Sequence, residues 1–302
     1  MAKRTLYGTV IITYRCNAHC NMCDCFRDPT RPEEEITLDV IKKLPEMAFT
    51  NITGGEPFIR QDIADIVREL YKKSDRIVIS TNGYFTDRII ALCKEFPKVG
   101  IRISIEGLQE TNDKIRGIPD GFNRGYTTLK TLVEMGHPDV GFGMTVQDMN
   151  CEDLVPLYNI ANDMGMEFAT ATLHNSFYFR KTDNKIDDKL KVSQNFEKLI
   201  NELLKSKSPK KWFRAYFNHG LINYIYGMGN LREQSWEELW NSKQAQEVRV
   251  CAKNCDRNCW MIGSASPAMH RYIWVPAWWV VKHKFFKGGK YSLKENKFIE
   301  GV

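Results

Sequence analysis

The chain has 302 residues, of which 43% are hydrophobic and 26% charged, so a disordered or fibrous protein is excluded. This length is enough for one large α/β domain with a small additional segment. A formal charge of +6 is too small at this length to indicate a nucleic-acid-binding protein by itself. The sequence has no apolar stretch long enough to span a membrane and no signal peptide at its start, so we expect a cytoplasmic protein.

Residues 5–205 alternate between short strand-like segments and helical segments. The predicted strands are Leu6–Thr13, Thr50–Thr53, Arg76–Ser80, Val99–Ile105, Val140–Val146 and Glu167–Leu173. The predicted helices that follow them are Leu38–Met47, Asp62–Lys72, Asp87–Glu95, Gly121–Met135, Asp153–Met164 and Lys189–Lys205. Six consecutive βα units predict a parallel sheet with right-handed crossovers, either an open sheet or a partial barrel.

The pattern changes at the basic, proline-containing segment 205–211, which we interpret as a solvated loop and a domain boundary. It separates a predicted α/β domain at 1–205 from a segment rich in cysteine and aromatic residues at 206–302. The tail from Ile273 to Phe286 combines aromatic residues with lysines. Such a tail can be core, a lid over the substrate or an element at a membrane surface. We favour packing against the α/β domain, since aromatic side chains usually fill cores.

Seven of the nine cysteines fall in two clusters. The first contains Cys16, Cys20, Cys23 and Cys25, and the second contains Cys251, Cys255 and Cys259. In a reducing compartment such clusters bind metals more often than they form disulfides. Three thiolates spaced C-x3-C-x2-C can hold three irons of a [4Fe–4S] cluster and leave the fourth iron open to a substrate or cofactor. Structural zinc, which usually has four ligands in paired C-x2-C knuckles, is the competing interpretation.

The motif of Cys16, Cys20 and Cys23 resembles the signature of the radical S-adenosylmethionine (SAM) superfamily. The resemblance implies a partial (β/α)6 barrel of parallel strands, with a [4Fe–4S] cluster on these cysteines and SAM bound to the open iron. It also implies reductive cleavage of SAM to a 5′-deoxyadenosyl radical, which abstracts hydrogen from the substrate. The residue before the third cysteine is usually aromatic in this family, whereas this chain has Met22.

Residues at the ends of the other predicted strands resemble the family's SAM-binding motifs. Two glycines after the second strand let the backbone approach a ligand closely. With the glutamate and proline after them, they resemble the GGEP motif that holds the SAM amino group. Ser104 and Glu106 match ribose-contacting positions, and Arg116 resembles an arginine that pairs with the SAM carboxylate. The SAM site that we predict consists of Gly54, Gly55, Glu56, Pro57, Asn82, Ser104, Glu106, Arg116 and Thr145.

The second cysteine cluster follows a segment that resembles the SPASM/twitch extensions of this superfamily. The match comprises Met228-Gly229-Asn230-Leu231 and Trp236–Ser242. Such extensions usually supply earlier cysteines as well, but this chain has none between Cys151 and Cys251. We therefore expect a single auxiliary iron–sulfur cluster on the three late cysteines, and zinc remains the alternative there.

Together these resemblances predict a radical SAM oxidoreductase or maturase that modifies a peptide, a protein, or a small polyol or sugar. An electron donor such as flavodoxin or ferredoxin would supply the reducing electron. The alternative is a zinc-binding regulatory or nucleic-acid-binding module. Neither cysteine cluster is flanked by a strong basic patch with interleaved aromatic residues, so no nucleic-acid partner is expected.

Overall fold

The computed structural model describes residues 6–226, 235–241, 246, 269 and 272–296. The chain divides into two compact units, one formed by 1–145 with 156–185 and the other by 146–155 with 186–302. The boundary predicted at 205/206 lies inside the second unit, because the helices on either side of it pack against each other. A functional division into 1–205 and 206–302 stays a prediction.

All six predicted strands are present. They are Tyr7–Ile11 (β1), Phe49–Thr53 (β2), Ile77–Thr81 (β3), Gly100–Ser104 (β4), Val140–Val146 (β5) and Glu167–Thr172 (β6). Their spatial order follows the chain order, and the pairs from β1 to β5 are parallel. The sheet is a half-barrel of six parallel strands, which confirms the predicted partial (β/α)6 barrel.

One row of side chains forms the centre of this sheet. Val10, Ile52, Ile79 and Ile101 are successive partners across β1 to β4, and all four are buried. Strands buried on both faces favour such β-branched apolar residues. Burial of this row therefore sets the register of the first four strands. That register aligns the carboxyl ends of these strands at one edge of the sheet.

The helices are mostly those that the sequence predicts. They are Leu38–Lys42 (α1), Ile63–Tyr71 (α2), Thr86–Glu95 (α3), Gln109–Arg116 (α4), Gly121–Glu134 (α5), Leu154–Asp163 (α6), Lys189–Lys205 (α7), Pro209–Tyr226 (α8), Trp236–Asn241 (α9) and Trp274–Val281 (α10). A π-helical segment, Lys282–Phe286, follows α10 directly. The apolar stripe of α2 is buried as its spacing predicts, since helical periodicity puts those residues on one face.

Helices α1, α4, α8 and α10 differ from the prediction, and α10 is a helix where the sequence predicted none. Helix α1 ends five residues before Met47, because Pro45 disfavours the helical conformation of the residue before it. Helix α4 was not predicted, since its sequence is almost entirely polar and shows no apolar stripe. Helix α8 was not predicted either: the predicted loop at 205–211 is confined to 206–208. Pro209 occupies the first position of α8, where its missing N–H is not needed.

In the second unit, the aromatic tail packs on one side only. Helix α10 contacts α8 and its π-helical continuation contacts α7, and both also contact Tyr291. Pro276, Val280 and His283 are buried, whereas Trp274 and Trp278 are exposed. One face of the tail therefore packs on helices of the second unit, and packing against the half-barrel itself stays a prediction.

The central row of the sheet predicts a large effect of truncation. Ile79→Ala should lower the free energy of unfolding by about 2–5 kcal/mol, because it removes buried methyl groups and leaves a cavity. The measurement is urea unfolding of the full chain, and Val40→Ala is the control. Val40 is 44% exposed, so its truncation should change stability by about 0.5 kcal/mol at most. Equal effects of the two substitutions would contradict the assignment of the core.

Candidate active site at the carboxyl ends of the strands

The loop that carries the first three cysteines follows β1 and is held by the end of α4. The backbone N–H of His19 donates to the carbonyl oxygen of Arg116 (2.9 Å), and that of Asn21 donates to Ile115 (2.9 Å). Gly117 ends α4 with φ of +55°, and a Cβ there would lie 2.7 Å from the carbonyl oxygen of His19. Glycine at this position therefore lets the helix end contact the cysteine loop.

The three thiols are half-buried and close to a positive charge. Burial raises the pKa of Cys16 to about 12 and also raises that of Cys20, while the guanidinium of Arg116 acts in the opposite direction on both. A hydrogen bond with Cys25 is the main cause that lowers the pKa of Cys23 to about 7. Arg116 thus favours the thiolate forms, which are the forms that bind metals.

The geometry of these thiols bears on which metal they suit. Among the residues that the structure describes, no three His, Cys, Asp or Glu side chains converge on a point that would hold one metal ion. Zinc needs its ligands around one centre, with Zn–S distances of about 2.3 Å. An iron–sulfur cluster instead takes each thiolate on a different iron. The three-thiol loop is compatible with an iron–sulfur cluster, in which the thiols need not meet at one centre.

The segment after β6 covers the cysteine loop, a contact that the sequence analysis missed. The Sγ of buried Cys25 donates to the carbonyl oxygen of Tyr178 (3.3 Å). The side-chain amide of Asn184 donates to the carbonyl oxygens of Met22 (3.0 Å) and His174 (2.9 Å). No motif in residues 174–184 indicates this role, because the contacts join positions about 150 residues apart.

The two glycines after β2 approach the backbone that leads into Cys16. A Cβ on Gly54 would lie 2.2 Å from the carbonyl oxygen of Thr13, and a Cβ on Gly55 would lie 2.2 Å from that of Arg15. The N–H of Gly55 donates to Thr13, at 2.8 Å. In this structure the close approach that requires glycine is thus to the chain itself. A contact of this segment with SAM stays a prediction.

The carboxylate of Glu56 joins the ends of β2 and β3. It is fully buried and accepts hydrogen bonds from the Thr81 hydroxyl (2.7 Å), the Asn82 N–H (2.7 Å) and the Phe58 N–H (3.0 Å). Burial raises the pKa of Glu56 and the three hydrogen bonds oppose that rise. Because the carboxylate already has three donors, its first role here is to position the strand ends. Pro57, also buried, begins the short turn that follows.

Asn82 extends this network to the cysteine loop. Its side-chain amide donates to the Oδ1 of Asn17 (2.7 Å), which is the residue after Cys16. The Nδ2 of Asn17 is itself buried and has no hydrogen-bond partner among the described residues. A buried donor without a partner is costly, so this atom is suited to a bound ligand.

Glu106 and Arg116 form a buried ion pair at the same edge. Their Oε1 and Nη1 atoms are 3.2 Å apart, and the second carboxylate oxygen accepts from the Thr145 N–H (2.6 Å). Burial raises the pKa of Glu106 to about 7, and Arg116 opposes the rise. The Nε of Arg116 is buried and unpartnered within the described part of the chain. Ser104, at the end of β4, is half-buried.

The structure thus brings most of the predicted site residues to one edge of the half-barrel. Two buried hydrogen-bond donors, the Nδ2 of Asn17 and the Nε of Arg116, have no partner among the described residues and accompany the three thiols. The thiols suit a cluster, and the two donors suit the carboxylate of an amino acid bound to it. The residues present therefore fit a [4Fe–4S] cluster with SAM. Cys251, Cys255 and Cys259 lie outside the described residues.

Two family models match the chain. The radical SAM superfamily model matches residues 10–160, which is half of the chain. The SPASM model, described as an iron–sulfur cluster-binding domain, matches residues 194–260 and includes all three late cysteines. These matches do not support the alternative of a zinc-binding regulatory module.

Three curated relatives match the chain over about half of its length. Fe-coproporphyrin III synthase of Methanosarcina barkeri is 30% identical over 164 residues, which is 50% of this chain and 40% of that protein. The sporulation killing factor maturation protein SkfB of Bacillus subtilis is 28% identical, covering 48% and 37% respectively. The mycofactocin maturase MftC of Mycolicibacterium smegmatis is 30% identical, covering 47% and 38%. This chain therefore spans less than half the length of these relatives.

The fold also matches a solved structure, SuiB of Streptococcus suis bound to S-adenosylmethionine. The TM-score is 0.57 at 14% identity, and the match covers 68% of this chain and 49% of SuiB. At this identity the match speaks for the fold alone. Since the family model covers half of the sequence and the half-barrel agrees with it, the chain belongs to the radical SAM superfamily and carries a SPASM iron–sulfur domain C-terminal to its radical SAM region.

Proposed function

We propose that this protein is a SPASM-type radical SAM maturase that modifies a peptide or protein. The observation that carries the proposal is the cysteine loop packed against the buried Glu106–Arg116 pair. The SPASM match, together with two relatives that are named as a maturation protein and a maturase, supports a macromolecular precursor as substrate over a small polyol or sugar. The proposed reaction is an oxidation or a related modification.

Cys16, Cys20 and Cys23 are the proposed ligands of the [4Fe–4S] cluster. The proposed SAM site consists of Gly54, Gly55, Glu56, Pro57, Asn82, Ser104, Glu106, Arg116 and Thr145. When bound, the cluster and SAM supply one-electron chemistry that no amino-acid side chain provides. The chain supplies the binding, the orientation and the exclusion of water.

Arg116 has the most direct proposed role toward SAM. Its charge is held in place by Glu106, and its Nε has no partner among the described residues. A buried guanidinium with a donor to spare suits the carboxylate of an amino acid. Glu106 is proposed to hold Arg116 and to accept a further hydrogen bond from a ribose hydroxyl.

The late cysteines and the electron source complete the proposal. Cys251, Cys255 and Cys259 fall within the matched SPASM region and are the proposed ligands of an auxiliary iron–sulfur cluster. Flavodoxin or ferredoxin is the proposed electron donor. No helix in the described part of the chain is long and apolar enough to cross a bilayer, and a cytoplasmic location stays a prediction.

The first cysteine loop can be tested by removing its thiols. The variant with Cys16, Cys20 and Cys23 all changed to Ala should lose about four irons and should form no 5′-deoxyadenosine from SAM under dithionite. Cys93→Ala is the matched control, since Cys93 is a buried thiol on α3 far from this loop in sequence. Cleavage of SAM at the wild-type rate by the triple variant would refute the assignment.

Arg116→Ala should weaken SAM binding by about tenfold or more. The expected loss corresponds to a charge-assisted hydrogen bond of about 1.5–3 kcal/mol. Equilibrium binding of SAM to the anaerobically reconstituted protein measures it. Arg102→Ala is the control, because Arg102 is also ion-paired on the half-barrel but to Asp139 and Glu167. Unchanged SAM affinity in folded Arg116→Ala protein would contradict the role of Arg116.

The auxiliary cluster can be tested separately from SAM cleavage. Changing Cys251, Cys255 and Cys259 together to Ala should remove about four irons, keep reductive SAM cleavage and abolish modification of the substrate. Metal analysis, 5′-deoxyadenosine formation and mass spectrometry of the substrate give the three readouts. Zinc in the wild-type protein at these positions, or full product formation by the variant, would overturn the proposal.

A further inference from the structure

The aromatic tail has a second, uncovered face. Trp274 is 77% exposed, Trp278 67%, Phe285 63% and Phe286 77%. The spacing of 274, 278, 282 and 286 puts these positions on one side of the continuous helical segment. The opposite side, with Pro276 and Val280, is buried. Large aromatic residues at such exposure form an apolar patch of the kind that marks an interaction site.

A second segment, distant in sequence, lies beside this patch. The ring of Phe285 contacts that of Trp212 on α8, with centroids 6.0 Å apart. The ammonium group of Lys284 donates to the carbonyl oxygen of Ser206 at 3.1 Å. Packing of the tail on α7 and α8 therefore joins segment 205–211 to segment 282–290.

The two joined segments are strongly basic. Segment 205–211 contains four lysines and segment 282–290 contains four more, and neither contains Asp or Glu. The whole chain has a formal charge of only +6, so these eight lysines exceed its net charge. Lys282 and Lys290 are exposed and form no ion pair with any described residue. The patch of four exposed aromatic residues with these two lysine segments is called the aromatic–basic face below.

We propose that the aromatic–basic face binds the surface of anionic lipid bilayers. Exposed Trp and Phe side chains insert at the headgroup boundary, and lysines beside them interact with anionic headgroups. A bilayer takes up both kinds of residue at once, because lysine ammonium groups stay at the headgroups while apolar rings lie deeper. The association that we propose is peripheral, with the rings at the headgroup boundary.

The shape of the face favours a bilayer over an acidic protein segment. The four aromatic side chains project from the outer side of one helical segment. Bound peptides, in contrast, usually place their side chains into grooves or pockets of the receptor. The positive charge of the face matches the anionic cytoplasmic leaflet, which attracts basic segments by about 1 kcal/mol per residue.

The proposal is tested by sedimentation of the full chain with vesicles. We expect binding to vesicles of phosphatidylcholine with phosphatidylglycerol, weak binding to phosphatidylcholine alone, and loss of binding as salt is raised. Lys282→Gln with Lys290→Gln should lower the partition coefficient by about fivefold per lysine. Trp274→Ala with Trp278→Ala should lower it by about tenfold or more.

Two matched controls separate the face from general effects of charge and exposure. Tyr7→Ala removes an aromatic side chain that is 52% exposed in the other compact unit, and Lys94→Gln with Lys98→Gln removes the same charge there. Neither should change vesicle binding. All variants should keep the iron content and SAM cleavage of the wild-type protein, so that a lost surface is distinguished from a lost fold.

Insertion of the rings is measured separately. Brominated phosphatidylcholine in the anionic vesicles should quench tryptophan fluorescence, and the Trp274/Trp278 double variant should lose most of that quenching. Failure of the wild-type protein to bind anionic vesicles would overturn the proposal, as would binding that neither face variant reduces. Binding to polyglutamate without binding to vesicles would also overturn it and would assign the face to an acidic protein partner.

Discussion

Three buried charged side chains hold the carboxyl edge of the half-barrel together. Glu56, Glu106 and Arg116 are each less than one-tenth exposed, and a buried charge costs several kcal/mol unless partners surround it. Glu56 finds its partners on the turn after β2 and at the end of β3, and Glu106 finds its partners on α4 and β5. The need to satisfy these charges therefore fixes the distances between the carboxyl end of β2 and that of β3, and between the carboxyl end of β4 and α4 and β5.

The cysteine loop depends on this arrangement. The same α4 end that carries Arg116 accepts backbone hydrogen bonds from the loop, so the guanidinium and the thiols are positioned by one element. Replacing a buried pair by apolar residues often leaves stability unchanged, so we assign this pair a role in positioning rather than in stability. At this edge, that geometry places a cation beside the three thiols of the proposed cluster site, together with two donors that have no partner among the described residues.

In the second unit, apolar side chains of the aromatic tail are buried on one face and exposed on the other. Its tail buries Val280 and His283 against its own helices, while tryptophans on the other side of the same helical turns are exposed. A helix that is apolar on all sides is normally covered on all sides. The uncovered side is therefore best understood as a surface for something outside the described chain, and the neighbouring lysines restrict what that can be.

The order and type of the six strands and most helices could be predicted from the sequence, because alternation and helical periodicity are local properties of the chain. The cysteine triplet and Gly54-Gly55-Glu56-Pro57 are local as well, and they identified the family and the edge of the sheet that carries the site. Helix α4 was missed because its sequence is polar, although it holds the cysteine loop.

Tertiary structure decided which distant groups meet. The pairing of Arg116 with Glu106, the cover of the cysteine loop by residues 174–184, and the junction of the two lysine segments all join positions that no local pattern relates. Sequence showed that the tail is apolar and basic, but only packing on α7 and α8 determined which of its faces is covered. The physical reason is that burial depends on everything that surrounds a side chain in space, whereas the periodicity of a sequence shows only which residues share one face of a helix or strand.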